Sequence, residues 1–292
     1  MIGPVGYIAA DVGWRDAHEV VELLVAAGYS AVDWTMEQFD PLTDDSADLQ
    51  RIAEHARAAG LATPQLMVHQ DYVTDDEAEW ERRVARTERA IDAAALAGIP
   101  TIGVVTGPNQ WVEGHTVVGR ELSSGQAWEL ALNALDRVVR HAKGSGVRVC
   151  LEPCWGTLAC DRASAQRVLD RFGVEDLGVT IDPSHFVMSG DDVPAMVRDW
   201  ADRVAHVHLK DAFGRTGRFD EDFCFLLPGE GRVDWPGLLS ALADIGYDGA
   251  ACVEFESFVL LDGPLRGDLA RAATLARELV GGLLAAVVPE RS

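Results

Sequence analysis

The chain has 292 residues, with 25 Lys+Arg against 47 Asp+Glu, which gives a formal net charge of −22 and a sequence pI near 4.6. A surface this acidic repels phosphate backbones and anionic lipid, so nucleic-acid and membrane-surface partners are disfavoured. Hydrophobic residues make up 48 % of the chain and mean hydropathy is +0.02, which suits a folded globular protein. No apolar run approaches the roughly 20 residues that span a bilayer. Residues 1–5 carry no secretory pattern. Cys150, Cys154, Cys160, Cys224 and Cys252 contain no CxxC pair, so neither a disulfide framework nor a cysteine-rich zinc site is indicated, and a cytoplasmic setting with reduced thiols is expected.

Along the chain one phrase recurs: a helical stretch ends in glycine and a short apolar run follows. It occurs around Gly28, Gly60, Gly98, Gly146, Gly173 and Gly246. Glycine after a helix takes the left-handed conformation that ends it, and a Val/Ile-rich run then reads as a buried parallel strand. Strands are expected over residues 5–10, 31–34, 63–69, 101–106, 147–152, 178–182, 204–209 and 251–254. Capping boxes over 74–77 and 123–126 open two of the intervening helices. Residues 107–121 and 212–234 read as long loops after the fourth and seventh strands, and residues 265–288 as a closing amphipathic helix. Eight parallel strands alternating with helices predict a single-domain (β/α)8 TIM barrel. The rival, a doubly wound sheet, lacks its sign, because Ala9-Ala10-Asp11-Val12-Gly13 is not a GxGxxG turn.

Active sites in such barrels lie at the strand C-termini. The last four strands end in Glu152-Pro153, Asp182-Pro183-Ser184-His185, His206-Val207-His208-Leu209-Lys210-Asp211 and Glu254-Phe255-Glu256. Glu152, Asp182, His208 and Glu254 converge there as an oxygen-rich set that suits a divalent metal, Mn²⁺ first, with Mg²⁺, Co²⁺ or Zn²⁺ as alternatives. His206 shares a face with His208 but lies deeper, so it reads as an inner-core histidine. Glu254 is preferred to Glu256 because it directly follows the apolar run; Glu256 then stands as a substrate contact.

These strand-end motifs, with the segment 227–235 (LPGEGRVDW), resemble the xylose-isomerase-like TIM-barrel superfamily, the sugar phosphate isomerase/epimerase group. The resemblance implies one divalent metal on Glu152, Asp182, His208 and Glu254. It also implies that Glu152 and Glu254 serve as acid and base on opposite faces of a sugar. The implied reaction is isomerisation or epimerisation of a ketose or keto-sugar by α-proton abstraction through an enediolate. A lyase that dehydrates a keto-inositol, keto-glycoside or related cyclic ketone is the alternative. An abasic-site endonuclease and a non-catalytic sugar-binding barrel are remoter; the first needs further histidines that residues 101–108 do not supply. His185, Lys210, His69, Trp111 and Trp155 are expected to contact substrate. Asp211 is expected to support the site, and Asp33, Glu37 and Trp14 to lie near it. Arg215, Arg218 and Arg232 are available to an anionic group. The expected partner is a small sugar or cyclic polyol, and members of the group often pair through barrel faces, which allows a homo-oligomer.

Overall fold

The computed structural model describes residues 2–12 and 16–287. In chain order the elements are β1 (Val5–Ile8), α1 (Ala17–Ala26), β2 (Ala31–Thr35), α2 (Ser46–Ala58), β3 (Gln65–Met67) and α3 (Glu77–Ala97). These are followed by β4 (Thr101–Val104), α4 (Ser124–Ala142), β5 (Arg148–Leu151), α5 (Arg162–Leu169), β6 (Leu177–Ile181), α6 (Pro183–Ser189) and α7 (Val193–Asp199). The chain continues through β7 (Val204–Leu209), β8 (Asp211–Gly214), β9 (Phe223–Leu226), α8 (Trp235–Asp244), β10 (Ala251–Val253), α9 (Phe258–Asp262) and α10 (Leu269–Val287). Strands β1, β2, β3, β4, β5, β6, β7 and β10 close into one parallel barrel, β1 pairing with both β2 and β10. This is the expected TIM barrel. Among the described residues no helix is long and apolar enough to cross a membrane.

Strand alternation sorts the residues by face. Val149, Leu151, Val179, Ile181, Val207, Leu209 and Val253 join the large apolar core that packs against the helices. Their neighbours Cys150, Glu152, Thr180, Asp182, His206, His208, Cys252 and Glu254 therefore share the inner face. The interior carries several polar side chains. Gln65 donates to Thr180 at 3.0 Å, and Asp33 pairs with His206 at 2.7 Å. Two glycines make room for this packing. A Cβ at Gly6 would lie 2.3 Å from Cys252 Sγ, and one at Gly103 would lie 2.7 Å from Gln65 Oε1.

Several local expectations are revised. Gly28, Gly60, Gly98, Gly146 and Gly246 have positive φ as the repeated phrase requires, but Gly173 does not. It sits in a turn closed by Asp176 N–H donating to its carbonyl. The box at Ser123 and Gln126 is present, whereas α3 is capped by Asp76, whose carboxylate accepts from Ala78 and Glu79 N–H. Asp76 outcompetes Thr74 because it stands directly before the first helical turn. Residues 212–234 are not simply a loop, because β8 and β9 pair there as an antiparallel hairpin. Phe223 and Phe225 pack with Met188 and Ala212, fastening that hairpin to α6. The closing helix begins at Leu269, and residue 288 lies outside the described residues.

Asp211 departs from the expected supporting role at the site. Its carboxylate is fully buried and accepts from Ala212, Gly229 and Val233 N–H and from Trp235 Nε1–H, all at 2.9–3.0 Å. It therefore pins the segment leading into α8. Asp211→Ala leaves four donors, all but Gly229 N–H on buried residues, without this acceptor, and it should cost about 3–5 kcal/mol in a guanidinium unfolding titration. A loss below about 1 kcal/mol would show that the segment is held by other contacts.

Candidate active site

Each barrel strand delivers its polar residue at the point where the apolar run stops. Glu152 follows β5, and its main-chain N–H still donates to Val104 O, which fixes it at the barrel rim. Asp182 follows β6 and caps α6 by accepting from Ser184 N–H at 2.9 Å, with Pro183 preset at the first helical position. His208 lies within β7, Lys210 directly after it, and Glu254 directly after β10. Glu152, Asp182 and His208 are essentially inaccessible to solvent, whereas Glu254 is partly buried.

The structure brings Glu152, Asp182, His208 and Glu254 together, with one potential ligand atom from each lying within 4.8 Å of the others. His208 Nδ1 is 2.9 Å from Glu152 Oε1 and 3.5 Å from Glu254 Oε2. His69 Nε2 stands 3.0 Å from the other Glu152 oxygen, and its carbonyl accepts from Asn109 Nδ2–H. The Lys210 ammonium is completely buried, 2.7 Å from Glu256, 2.8 Å from Glu254 and 3.0 Å from Asp182. It also lies 4.3 Å from the Phe225 ring centroid. His185 places Nε2 3.2 Å from Asp182 Oδ2, while its Nδ1 accepts from Trp155 N–H at 3.3 Å. Both ring nitrogens are thus engaged by protein groups, so the ring lines the site as a braced wall.

Burial and charge act against each other throughout this cluster. Burial alone would raise the Glu152 carboxyl, but His208 and His69 outweigh it and hold the group well below the usual carboxylate range. Burial likewise opposes ionisation of Asp182, and Lys210 and His185 overcome it in the same direction. Burial would lower Lys210, yet Asp182, Glu254 and Glu256 raise it well above an ordinary lysine. Glu256 is raised by burial, with Lys210 opposing. Asp11, at the end of the first strand unit, is also raised well above normal by burial and by Glu254. Its carboxylate accepts from Phe255 N–H, which ties it to the β10 segment.

The donor set fits a divalent cation. Asp182 Oδ2 and Glu254 Oε2 face the Lys210 ammonium at 3.0 and 2.8 Å, and His208 turns Nδ1 toward the same cluster. The cluster sets the Glu152, Asp182, Glu254 and Glu256 carboxylates against one ammonium, Lys210; burial would lower His208, but Glu152 and Glu254 raise it well above normal. Three carboxylates and one imidazole are hard and borderline donors, the chemistry Mn²⁺, Mg²⁺, Co²⁺ and Zn²⁺ accept.

Above this charged floor lies a cavity of about 430 Å³, lined below by Glu152, His185, Lys210, Glu254 and Glu256 and above by aromatic rings. Trp111 and Trp155 lie 6.3 Å apart on one side. Phe219, Phe225 and Phe258 complete the wall and were not singled out from sequence. The alternation Phe223-Cys224-Phe225-Leu226 is the available signal, since its period of two announces a strand within the long segment. The structure does not bring Glu37 to the cavity. Asp33 is buried beneath it, on His206. Arg215 is exposed, Arg218 pairs with Glu221 and Asp222 on the surface, and Arg232 stacks on Phe213. None of the three lines the cavity. Trp14 lies outside the described residues.

A closed parallel barrel with a metal-type donor set at its C-terminal rim defines the class. Residues 21–279 match the family profile described as xylose isomerase-like TIM barrel, and the chain belongs to that family. Among relatives, an inosose dehydratase of Lacticaseibacillus casei is 27 % identical over 142 residues, 44 % of this chain and 47 % of that protein. The matched part thus spans about half the length of that relative. Among solved structures, the IolI protein with a bound zinc atom superposes with a TM-score of 0.77 at 17 % identity, covering 98 % of this chain and 99 % of that one. An L-ribulose 3-epimerase gives 0.72 at 21 % identity, with coverage of 98 % and 96 %.

If the donor set holds a cation, folding is linked to it. A free ion at about 100 times its Kd stabilises the native state by about 2.7 kcal/mol. The wild-type melting temperature should therefore rise by several degrees when Mn²⁺ is added, and Asp182→Asn should abolish the rise. Equal shifts in both proteins would remove Asp182 from the set.

Proposed function

We propose that the protein is a divalent-metal-dependent isomerase or epimerase that removes a proton next to the carbonyl of an uncharged ketose or keto-sugar. The observation that carries this reading is the meeting of Glu152 and Glu254 at the cavity floor beside Asp182 and His208. Glu152, Asp182, His208 and Glu254 would hold the ion, Mn²⁺ before Mg²⁺, Co²⁺ or Zn²⁺. When bound, such an ion supplies Lewis acidity to a carbonyl oxygen and lowers the pKa of the adjacent C–H. Glu254 takes the proton on one side, and Lys210, 2.8 Å away, holds its carboxylate in place. Glu152 returns a proton on the other side, with His69 fixing the orientation of its second oxygen. The aromatic wall packs on the apolar face of a sugar ring and keeps bulk water from the floor.

Charge argues for an uncharged substrate. Among the described residues lining the cavity, Lys210 is the sole Lys or Arg, and three carboxylates already surround it. A phosphate would find no free positive charge there. The five cysteines are free thiols, which supports a cytoplasmic setting.

Lys210 also favours a second reading, dehydration of a keto-inositol or related cyclic ketone. Both reactions begin with loss of the α-proton, but elimination also requires a proton for the departing β-hydroxyl. The Lys210 ammonium lines the cavity and can donate one. Similarity to inosose dehydratases supports this route.

Incubating the Mn²⁺-loaded protein in deuterated water with ketoses, keto-inositols and 3-keto-glycosides separates the readings by NMR. Deuterium at the α-carbon with intact hydroxyls supports isomerisation or epimerisation, and an enone or diketone product supports dehydration. Glu254→Gln should slow exchange by about 10²–10⁴-fold. Unchanged exchange would transfer the base role to another group. No exchange with any ketone would sink both readings.

A further inference from the structure

We infer that Asp33 is a positioning residue for the metal site, the acceptor that keeps the His208 ring turned so that Nδ1 faces the carboxylates. The inference rests on the reading above, in which His208 is a ligand. The ring has two distinct edges. Nδ1 faces the donor cluster, 2.9 Å from Glu152 and 3.5 Å from Glu254. Nε2 points the other way, toward the barrel interior, and is buried without a hydrogen-bond partner. A histidine that binds metal through one nitrogen keeps its proton on the other, and a buried N–H requires an acceptor.

Asp33 is the carboxylate whose closest approach to His208 is to that nitrogen, with Oδ2 3.7 Å away. It arrives from β2, where its neighbours Val32 and Trp34 join the apolar core. The group is completely buried and does not line the cavity. A carboxylate in such a place costs several kcal/mol unless partners compensate, so it calls for a role. Its Oδ2 accepts from His206 Nε2 at 2.7 Å, and its Oδ1 has no partner.

The two histidines of the His206-Val207-His208 segment therefore divide the work. They stand two residues apart on β7, so both rings enter the barrel, and they meet edge to face at 5.2 Å. Both present Nε2 to the same carboxylate. His206 pins Asp33, and Asp33 aims His208. A shift of well under an ångström turns the 3.7 Å approach into a hydrogen bond once Nδ1 is engaged by a cation.

The test uses the full chain, calorimetric titration with Zn²⁺, and ¹H–¹⁵N spectra of the histidine rings. In the Zn²⁺-loaded wild type, His208 should carry its proton on Nε2, as a slowly exchanging, downfield resonance. Asp33→Asn should weaken Zn²⁺ binding by about 10–100-fold and move that resonance upfield. His206→Gln, which releases Asp33, should produce the same changes with smaller size. A general loss of stability would not relocate or shift this proton. Asp33→Asn binding Zn²⁺ as tightly as wild type, with the resonance unmoved, overturns the inference and leaves the metal reading intact. So does a wild-type spectrum in which His208 is protonated on Nδ1, and that spectrum decides the matter even if neither variant folds. A wild type that takes up no divalent ion overturns the metal reading and the inference with it.

Discussion

The centre of this molecule is a problem of buried charge. Glu152 and Asp182 are removed from water at the rim of a parallel barrel, and Glu254 and Glu256 stand partly shielded beside them. Such a group of carboxylates is tolerable only if positive charge is supplied inside the protein. Lys210 supplies one charge to three of them, and His208 and His69 turn their rings to Glu152. A divalent ion would add positive charge at the same point.

The barrel makes that arrangement possible at low reorganisation cost. Parallel strands all end at the same rim, so residues distant in sequence meet there on backbones already fixed by ladder hydrogen bonds. Glycine at positions 6 and 103 leaves space on the inner face for Cys252 and Gln65. The result is a polar interior with its own hydrogen-bond logic beneath the site. The hairpin after β7 adds the complementary feature, an aromatic wall over a charged floor, and Asp211 holds the returning chain in place.

Much of the fold was legible in sequence because period and punctuation are local. Glycine at the helix ends and Val/Ile runs after them mark βα units without reference to anything distant. The cap of α3 stands two residues beyond the one that sequence spacing favours, since Thr74 and Asp76 offer the same kind of oxygen and only backbone geometry chooses between them. Gly173 failed the repeated phrase because a turn closed by Asp176 takes the place of a left-handed cap. The hairpin is barely legible in sequence because its strand is only four residues long and lies between polar segments.

The order of chemistry-bearing residues along the chain determined the outline of the site: four strand ends with carboxylates or imidazole at the point where the apolar run stops. Sequence also determined which histidine of the pair lies nearer the rim, because strand period is fixed. Tertiary structure alone decided the partners. That Lys210 faces three carboxylates, that Asp211 turns away to hold a loop, that His206 reaches Asp33 across the barrel, and that three phenylalanines wall the cavity all depend on contacts between distant segments. The reason is physical: periodicity says which face a side chain occupies, whereas barrel closure and register decide what stands opposite it.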